Sequence, residues 1–324
     1  MEYRALGRTG VMVSKLCFGT MSFGAEADES MSKLMFHRCR DAGINFFDCA
    51  DVYSKGRAEE ILGSLIKDCR DAIVLVSKAH GRMGDDSNAK GLSRRHIMLA
   101  VEDSLRRLKT DRLDLYFAHK FDSLADMELT LRAFDDLVQQ GKIIYPAVSN
   151  WAAWQIATAL GISKAKGLSR FECMQPMYNL AKRQAETELL PLALAENMAV
   201  IPYNPMGAGL LSGKYGSERK PESGRLVKNS MYMKRYSLDA YYDIAERFTA
   251  YANKRDVHPA TLAVAWVMSH PAVTAPIVGA RNVEQLEASL AAADLEMTEE
   301  WRAEITALSI APTPATDRLE EIVP

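Results

Sequence analysis

NFFDCADVY at 45–53, IVLVSK at 73–78 and LDLYFAH at 113–119 share one layout. Each is an apolar run of strand length that ends on, or just before, a polar side chain able to do chemistry: Asp48 and Tyr53, Lys78, and His119. Similar runs lie at 15–20 (KLCFGT), 145–150 (YPAVSN), 172–177 (ECMQPM), 199–204 (AVIPYN) and 274–279 (TAPIVG). Near-continuous apolar runs are expected of parallel strands covered on both faces. Most start roughly 27–40 residues apart, the length of a strand–helix repeat.

The intervening segments carry helix signals. Ser93 is a candidate cap for HIMLAVEDSLRRL, and Asp126 for MELTLRAFDDLVQQ, which Gly141 would end. Ser30 is a candidate cap for MSKLMFHRCRDA, with Gly43 after it. Eight alternating strand–helix pairs predict a closed (β/α)8 barrel, with a doubly wound open sheet as the alternative. Residues 3–14 read as a hairpin around Arg8-Thr9-Gly10 that plugs the barrel bottom. Between the last two strands the gap doubles. It holds a polar loop near 214–237, then helices over 238–255 and 259–270, the second opening at His258-Pro259. Pro146 lacks a ladder donor, so the fifth strand is expected to start at or next to it. No linker divides the chain, and residues 1–324 are read as a single domain. The Pro-rich tail, 311–324, is read as a mobile flap over the site.

The 324 residues are 48% hydrophobic and 25% charged, ample for a large core. A net charge of -2 argues against a nucleic-acid binder. No apolar stretch reaches membrane-spanning length, and the N-terminus lacks a signal-peptide layout. Cysteines 17, 39, 49, 69 and 173 form no CxxC pair, which points to a reduced, cytoplasmic protein.

Asp48, Tyr53, Lys78 and His119 make one chemical set. Tyrosine titrates near pH 10 and is a poor acid unaided. A neighbouring ammonium, Lys78, is expected to lower that pKa, with Asp48 pinning the lysine by an ion pair. His119 would donate to a carbonyl oxygen as charge builds there. The set holds no covalent nucleophile, and no metal site is expected. A proton donor beside an oxygen anchor suits reduction of a carbonyl by an external hydride. Phe23, Phe121 and Trp151, just past strand ends, would form an apolar wall around the substrate, with Tyr53 and His119 as its polar pair.

The sequence resembles the aldo-keto reductase family. The resemblance is carried by FGTMSFG (18–24), FFDCADVY (46–53), LVSKAH (75–80), LDLYFAHKFD (113–122) and GKIIYPAVSN (141–150). It continues through QPMYNL (175–180), PYNPMGAGLLSGKY (202–215) and PIVGARNVEQLEASL (276–290). It is most similar to the bacterial branch that includes channel-β-like proteins. The resemblance implies a barrel, NADPH/NADP+ as cofactor and Tyr53 as general acid. It also implies that Gly19, Thr20, Met21 and Asp48 flank the cofactor. Ser149, Asn150 and Gln175 would bind the carboxamide, and Tyr203 would stack on the nicotinamide. Asn204, Pro205, Met206, Gly207, Gly209 and Leu210 would line the cofactor, with Lys214 on its phosphates.

Past the last strand, Gly279 precedes Arg281, whose guanidinium is placed to pair with a 2′-phosphate. Gln285 matches the family's next contact. The family's Glu-Asn pair for adenine is replaced here by Ala288-Ser289, so weaker or less selective cofactor binding is expected, with Ser289 as the remaining polar contact. Between 214 and 235, seven basic residues stand against Glu218 and Glu222, a net +5. That segment is read as a lid over the cofactor's phosphates or as a solvated loop.

The expected ligand is a small-molecule carbonyl or alcohol, with no nucleic-acid or membrane partner. Direction, substrate and oligomeric state stay open. The alternative reading is a nicotinamide-sensing regulatory subunit of the channel-β type.

Overall fold

Side-chain alternation builds a barrel. In the computed structural model, which describes residues 1–318 and 320, eight parallel strands form one sheet. They are β3 (Cys17–Gly19), β4 (Phe46–Asp48), β5 (Val74–Ala79), β6 (Leu113–Ala118), β7 (Ile143–Ser149), β8 (Cys173–Gln175), β9 (Ala199–Val200) and β10 (Ile277–Val278). The sheet order is β10-β3-β4-β5-β6-β7-β8-β9. The ring closes between its ends: Thr274 N donates to Val200 O at 2.8 Å, and Ile277 N to Pro202 O at 2.9 Å. The fold is the expected (β/α)8 barrel, not an open sheet.

One face of each strand packs inside the lumen: Cys17, Phe46, Val76, Phe117, Ala147, Cys173, Ile201 and Ile277 share one apolar cluster. The other face, with Phe18, Phe47, Leu75, Tyr116 and Val148, packs with the helices. Strand side chains repeat every second residue. Two residues beyond each lumen residue lies the mouth layer: Gly19, Asp48, Lys78, His119, Ser149, Gln175, Tyr203 and Gly279. The polar side chains identified in the sequence therefore share one end of the barrel. Gly19, at the end of β3, and Gly279, just past β10, lie side by side and leave that sector without side chains.

The floor is the hairpin β1 (Tyr3–Ala5) and β2 (Met12–Ser14), paired antiparallel. Its Leu6 and Val13 are fully buried in the lumen cluster, so the hairpin is the expected plug. Gly7 has φ +53, and a Cβ there would lie 2.7 Å from Ala199 N, so a side chain at this turn would lift the plug.

Around the sheet lie α1 (Glu29–Asp41), α2 (Arg57–Leu65), α3 (Arg94–Leu108), α4 (Met127–Gln139), α5 (Ala153–Lys166) and α6 (Leu189–Glu196). Ser93 and Asp126 cap α3 and α4 as expected. α1 is capped by Asp28, which accepts from Met31 N, so Ser30 lies inside the helix. β7 starts three residues before Pro146. The Pro146 carbonyl accepts from Glu172 N at 3.0 Å. In a parallel ladder the missing N–H would face the same neighbour, β8, which begins only at Cys173, so the proline breaks no bond there.

The segment expected to be a polar loop contains two short helices, α7 (Arg225–Lys228) and α8 (Ser230–Arg235). Then come α9 (Asp239–Lys254) and α10 (Pro259–Met268), the latter capped by His258 with proline in its first turn. α11 (Val283–Leu290) and α12 (Glu299–Thr306) end the fold. The tail runs back along the β8–α6 loop, where Thr187 Oγ1 donates to Thr313 O at 3.2 Å. The rest of the expected flap, Leu319 and 321–324, lies outside the described residues. Among the described residues no helix is long and apolar enough to cross a membrane.

Truncating Leu6 to Ala leaves a cavity under the lumen. We expect it to cost about 2–4 kcal/mol in urea unfolding while the far-ultraviolet spectrum of the folded protein is retained.

Candidate active site

Lys78 stands at the centre of the mouth layer, fully buried. Its Nζ donates to Asp48 Oδ2 at 2.7 Å, to the Cys49 carbonyl at 2.8 Å and to Tyr53 Oη at 3.1 Å. An ammonium has three N–H groups, and all three are used. The other oxygen of Asp48 accepts from Gln175 Nε2 at 2.9 Å. Tyr53 follows β4 in a tight turn whose next residues, Ser54, Lys55 and Gly56, have φ of 48°, 53° and 92°. The Tyr53 ring meets His119 edge-on, with centroids 6.2 Å apart. The four residues expected to act together are thus in one cluster.

Burial sets the protonation states. It raises the pKa of Tyr53 above the ordinary phenol value, outweighing the Lys78 ammonium. This corrects the expected direction: Lys78 opposes the rise without reversing it. Burial also opposes the Lys78 charge, but Asp48 and Tyr53 outweigh it and hold the ammonium above its usual range. For His119, burial and then Lys78 depress the pKa to about 3, so its imidazole is neutral at physiological pH. The mouth therefore presents a protonated phenol and a neutral imidazole in front of a buried cation.

A second polar group adjoins this cluster. Ser149 Oγ donates to Gln175 O at 2.9 Å, and Asn150 Nδ2 to both Ser149 Oγ and His119 O at 2.9 Å. Tyr203 Oη donates to Asn150 Oδ1 at 2.8 Å, joining β7 to β9 across the mouth. Thr20 is buried, and its hydroxyl and N–H both donate to the Asp48 carbonyl at 2.9 Å, so it acts as a strut beneath the site. Gly19 borders the same point, and Met21 is half-buried beside it.

The loop after β9 is a run of left-handed residues: Asn204, Gly207, Ala208, Gly209 and Gly213 all have positive φ. Four of its N–H groups are spent inside it. Gly207 donates to Asn204 O, Ala208 to Asn204 Oδ1, and both Gly209 and Leu211 to Met206 O. The glycines shape the turn more than they free donors. Pro205 and Leu210 are buried, Met206 is half-buried and Lys214 is exposed. Across the open sector, Gly279 and Arg281 are exposed, and the Arg281 side chain reaches Gln285 Oε1 at 3.4 Å. Ser289 is not at this surface. It is buried, and its Oγ has no partner among the described residues.

The expected apolar wall is only partly brought to the mouth. Phe23 is fully buried against Phe18, 5.8 Å between centroids. Trp151 is buried between Phe121 and Phe171, at 5.0 and 5.5 Å. Phe121 is half-exposed, and beyond it stands Trp154, 64% exposed and 6.3 Å from the Phe121 ring. The sequence reading missed Trp154, although it lies three residues after Trp151. It also missed Asp51, buried beside the tetrad with Oδ2 unpartnered among the described residues. Its one signal in the sequence was a second aspartate three residues after Asp48.

The Aldo/keto reductase family model matches residues 15–310. The chain belongs to the aldo/keto reductase family. It is 34% identical to a probable voltage-gated potassium channel subunit beta of Oryza sativa subsp. japonica, over 91% of this chain and 92% of that protein. Similarity to an uncharacterized oxidoreductase, YrpG, of Bacillus subtilis is 33% over 93% of both chains. A versiconal hemiacetal acetate reductase of Aspergillus parasiticus is 31% identical over 93% of this chain and 94% of its own length. Aldo/keto reductases generally use NAD(P)H, and membership supports an oxidoreductase.

Two pH effects follow from burial. The His119 ring resonances, assigned against a His119→Gln variant, should show no titration between about pH 5 and 8, whereas an unperturbed histidine titrates near pH 6.5. Asp51 is pushed up to about 7 by burial and then by Glu59. Its folded carboxyl keeps a proton that the unfolded chain loses near pH 4, so stability falls as pH rises from about 4 through 7. Urea unfolding at about pH 5 and pH 8 should show wild type losing on the order of 2 kcal/mol more than Asp51→Asn across that interval.

Proposed function

We propose that the protein is an NADPH-dependent reductase of aldehydes or ketones, with Tyr53 as proton donor. The observation that carries this reading is the Lys78 hydrogen-bond set. Because Lys78 donates to Tyr53 Oη, the phenolic hydrogen is left to point elsewhere, and Tyr53 is only half-buried. The neutral His119 can offer one N–H to the same substrate oxygen. Together they would hold a carbonyl by two neutral donors.

The residues present fit a nicotinamide dinucleotide. Ser149, Asn150 and Gln175 converge beside the flat Tyr203 ring, which suits a carboxamide on an aromatic ring. Exposed Lys214, just past the turn at 204–213, suits a pyrophosphate. Exposed Arg281 suits a 2′-phosphate and so supports NADPH over NADH. Bound NADPH supplies a hydride; the chain supplies orientation and a proton. As negative charge develops on the substrate oxygen, Tyr53 and His119 hydrogen-bond to it more strongly than to the neutral carbonyl, which is the condition for catalysis. The alkoxide that forms is a stronger base than a phenolate. Tyr53 can therefore protonate it despite a raised pKa, with the Lys78 ammonium stabilising the phenolate left behind. In the reverse direction the same phenolate would accept the proton of an alcohol. The free cysteines, four of them buried, support a reducing compartment such as the cytoplasm.

A second reading is a nicotinamide-sensing subunit, favoured by the similarity to potassium channel β subunits. It predicts tight NADPH binding with no turnover. NADPH oxidation across aldehydes, ketones and keto-sugars separates the two. Under the reductase reading, Tyr53→Phe lowers kcat by about 100-fold or more while NADPH still binds within about twofold of wild type. Undiminished turnover in that variant would rule out Tyr53 as the acid.

A further inference from the structure

The tetrad accounts for the inner face of β5, but the outer face of the same strand carries a second buried polar chain. Ser77 sits next to Lys78 and points to the opposite side of the sheet. Its hydroxyl donates to Glu59 Oε1 at 2.5 Å. Glu59, in the first turn of α2, is fully buried, and its other oxygen accepts from Arg107 Nε at 2.7 Å. Arg107, in the last turn of α3, lies against Gly56: a Cβ on Gly56 would be 2.8 Å from Arg107 Cδ and 3.0 Å from Nε. Gly56 ends the turn that begins at Tyr53. The chain Ser77–Glu59–Arg107–Gly56 thus runs behind the barrel wall from the strand that holds Lys78 to the turn that holds Tyr53.

The turn needs such a support. Ser54, Lys55 and Gly56 are all left-handed, and the first two are not glycine. Left-handed non-glycine residues persist only where their surroundings over-determine them. Ser54 Oγ donates to Phe23 O at 2.7 Å, which holds one side of the turn. The Arg107 side chain, seated where only a glycine fits, holds the other. A buried carboxylate with a single guanidinium partner is a weak source of net stability, because desolvation offsets most of the attraction. Its geometry is the more specific product: it joins α2, α3 and β5 at one point.

We propose that Ser77, Glu59 and Arg107 are positioning residues that set the contact between Lys78 and Tyr53, and so align the proton donor. The inference rests on the reductase reading above. The clamp touches neither the nicotinamide-side group nor the mouth. Its loss should therefore act on proton delivery and leave cofactor binding alone. Misplacing a reacting group by about 1 Å costs about 100-fold in rate.

The test is Ser77→Ala, which removes the link to β5 but leaves the Glu59–Arg107 pair intact. We expect kcat to fall about 10- to 100-fold, with KM and the NADPH dissociation constant within about twofold of wild type. The solvent deuterium isotope effect on kcat should rise as proton transfer becomes slower. A crystal structure of Ser77→Ala should show Lys78 Nζ and Tyr53 Oη beyond hydrogen-bonding distance. Gly56→Ala, which displaces Arg107 from the other end, should give the same pattern. Unchanged kcat and isotope effect with a lowered melting temperature would make the clamp merely structural and overturn the proposal. An inert wild type would instead overturn the reductase reading, and the crystallographic distance would still decide whether the clamp sets the contact. A distance unchanged in both variants would refute it.

Discussion

The buried Asp48–Lys78 ion pair is the constraint on which the mouth of this barrel depends. Removing an ammonium from water costs several kcal/mol, and attraction to one carboxylate repays that only with good geometry and full hydrogen bonding. Here the three N–H groups of Lys78 meet three acceptors, and the second oxygen of Asp48 meets Gln175. The pair thereby ties β4, β5, β8 and the turn after β4 into one unit. Taking away either ion would leave the other charge buried and uncompensated. Tyr53 is thus held partly by what the lysine requires.

Burial then acts with opposite sign on the two remaining members. It raises the phenol pKa and lowers the imidazole pKa. Both groups are consequently neutral hydrogen-bond donors over the same pH range. The low-dielectric layer responsible lies one step down the strands, where Phe46, Val76, Phe117, Ile201 and Ile277 fill the lumen above the Leu6 and Val13 plug. The apolar floor strengthens the polar interactions set upon it. A side chain lost from that floor would therefore be felt in the titration of groups that it never touches.

Near-continuous apolar runs recurring at strand–helix spacing made the barrel legible from the chain alone. Asp48, Lys78 and His119 stood at or just past the ends of such runs, with Tyr53 shortly after one, whereas Ser149, Gln175 and Tyr203 were expected only from the family resemblance. Caps such as Ser93 and Asp126 were legible because they act within three residues. What was not legible depends on neighbours far away in sequence. The direction of the Tyr53 shift depends on how much protein covers the ring, and a list of nearby charges cannot weigh that. Phe23 reads like a pocket wall by position but is sealed by Phe18. Ser289 follows the cofactor pattern in register, yet it is buried. The opposition of Gly56 and Arg107 joins residues about 50 positions apart through the α2–α3 packing, for which no local pattern exists.

The basic segment over the open sector is held differently from the tetrad. Tyr215 and Tyr236 at its ends are buried, and Leu226 and Tyr232 pack inward between them. Tyr236 Oη accepts from Asn179 and Asn204, at 2.9 and 2.7 Å, which fixes one end to the loop after β9. Its tie across the mouth, Arg225 to Glu26 at 3.4 Å, is partly exposed on both sides. A pair of that kind contributes at most about 1 kcal/mol and is screened by salt. The segment can therefore part from the β3–α1 loop at little cost while its ends stay fixed. The contacts of Lys78, buried and fully hydrogen-bonded, do not share that freedom. Under the proposed function, ligand exchange and proton positioning would fall to parts of the fold with different stabilities, and the mouth could open without disturbing the Tyr53–Lys78 contact.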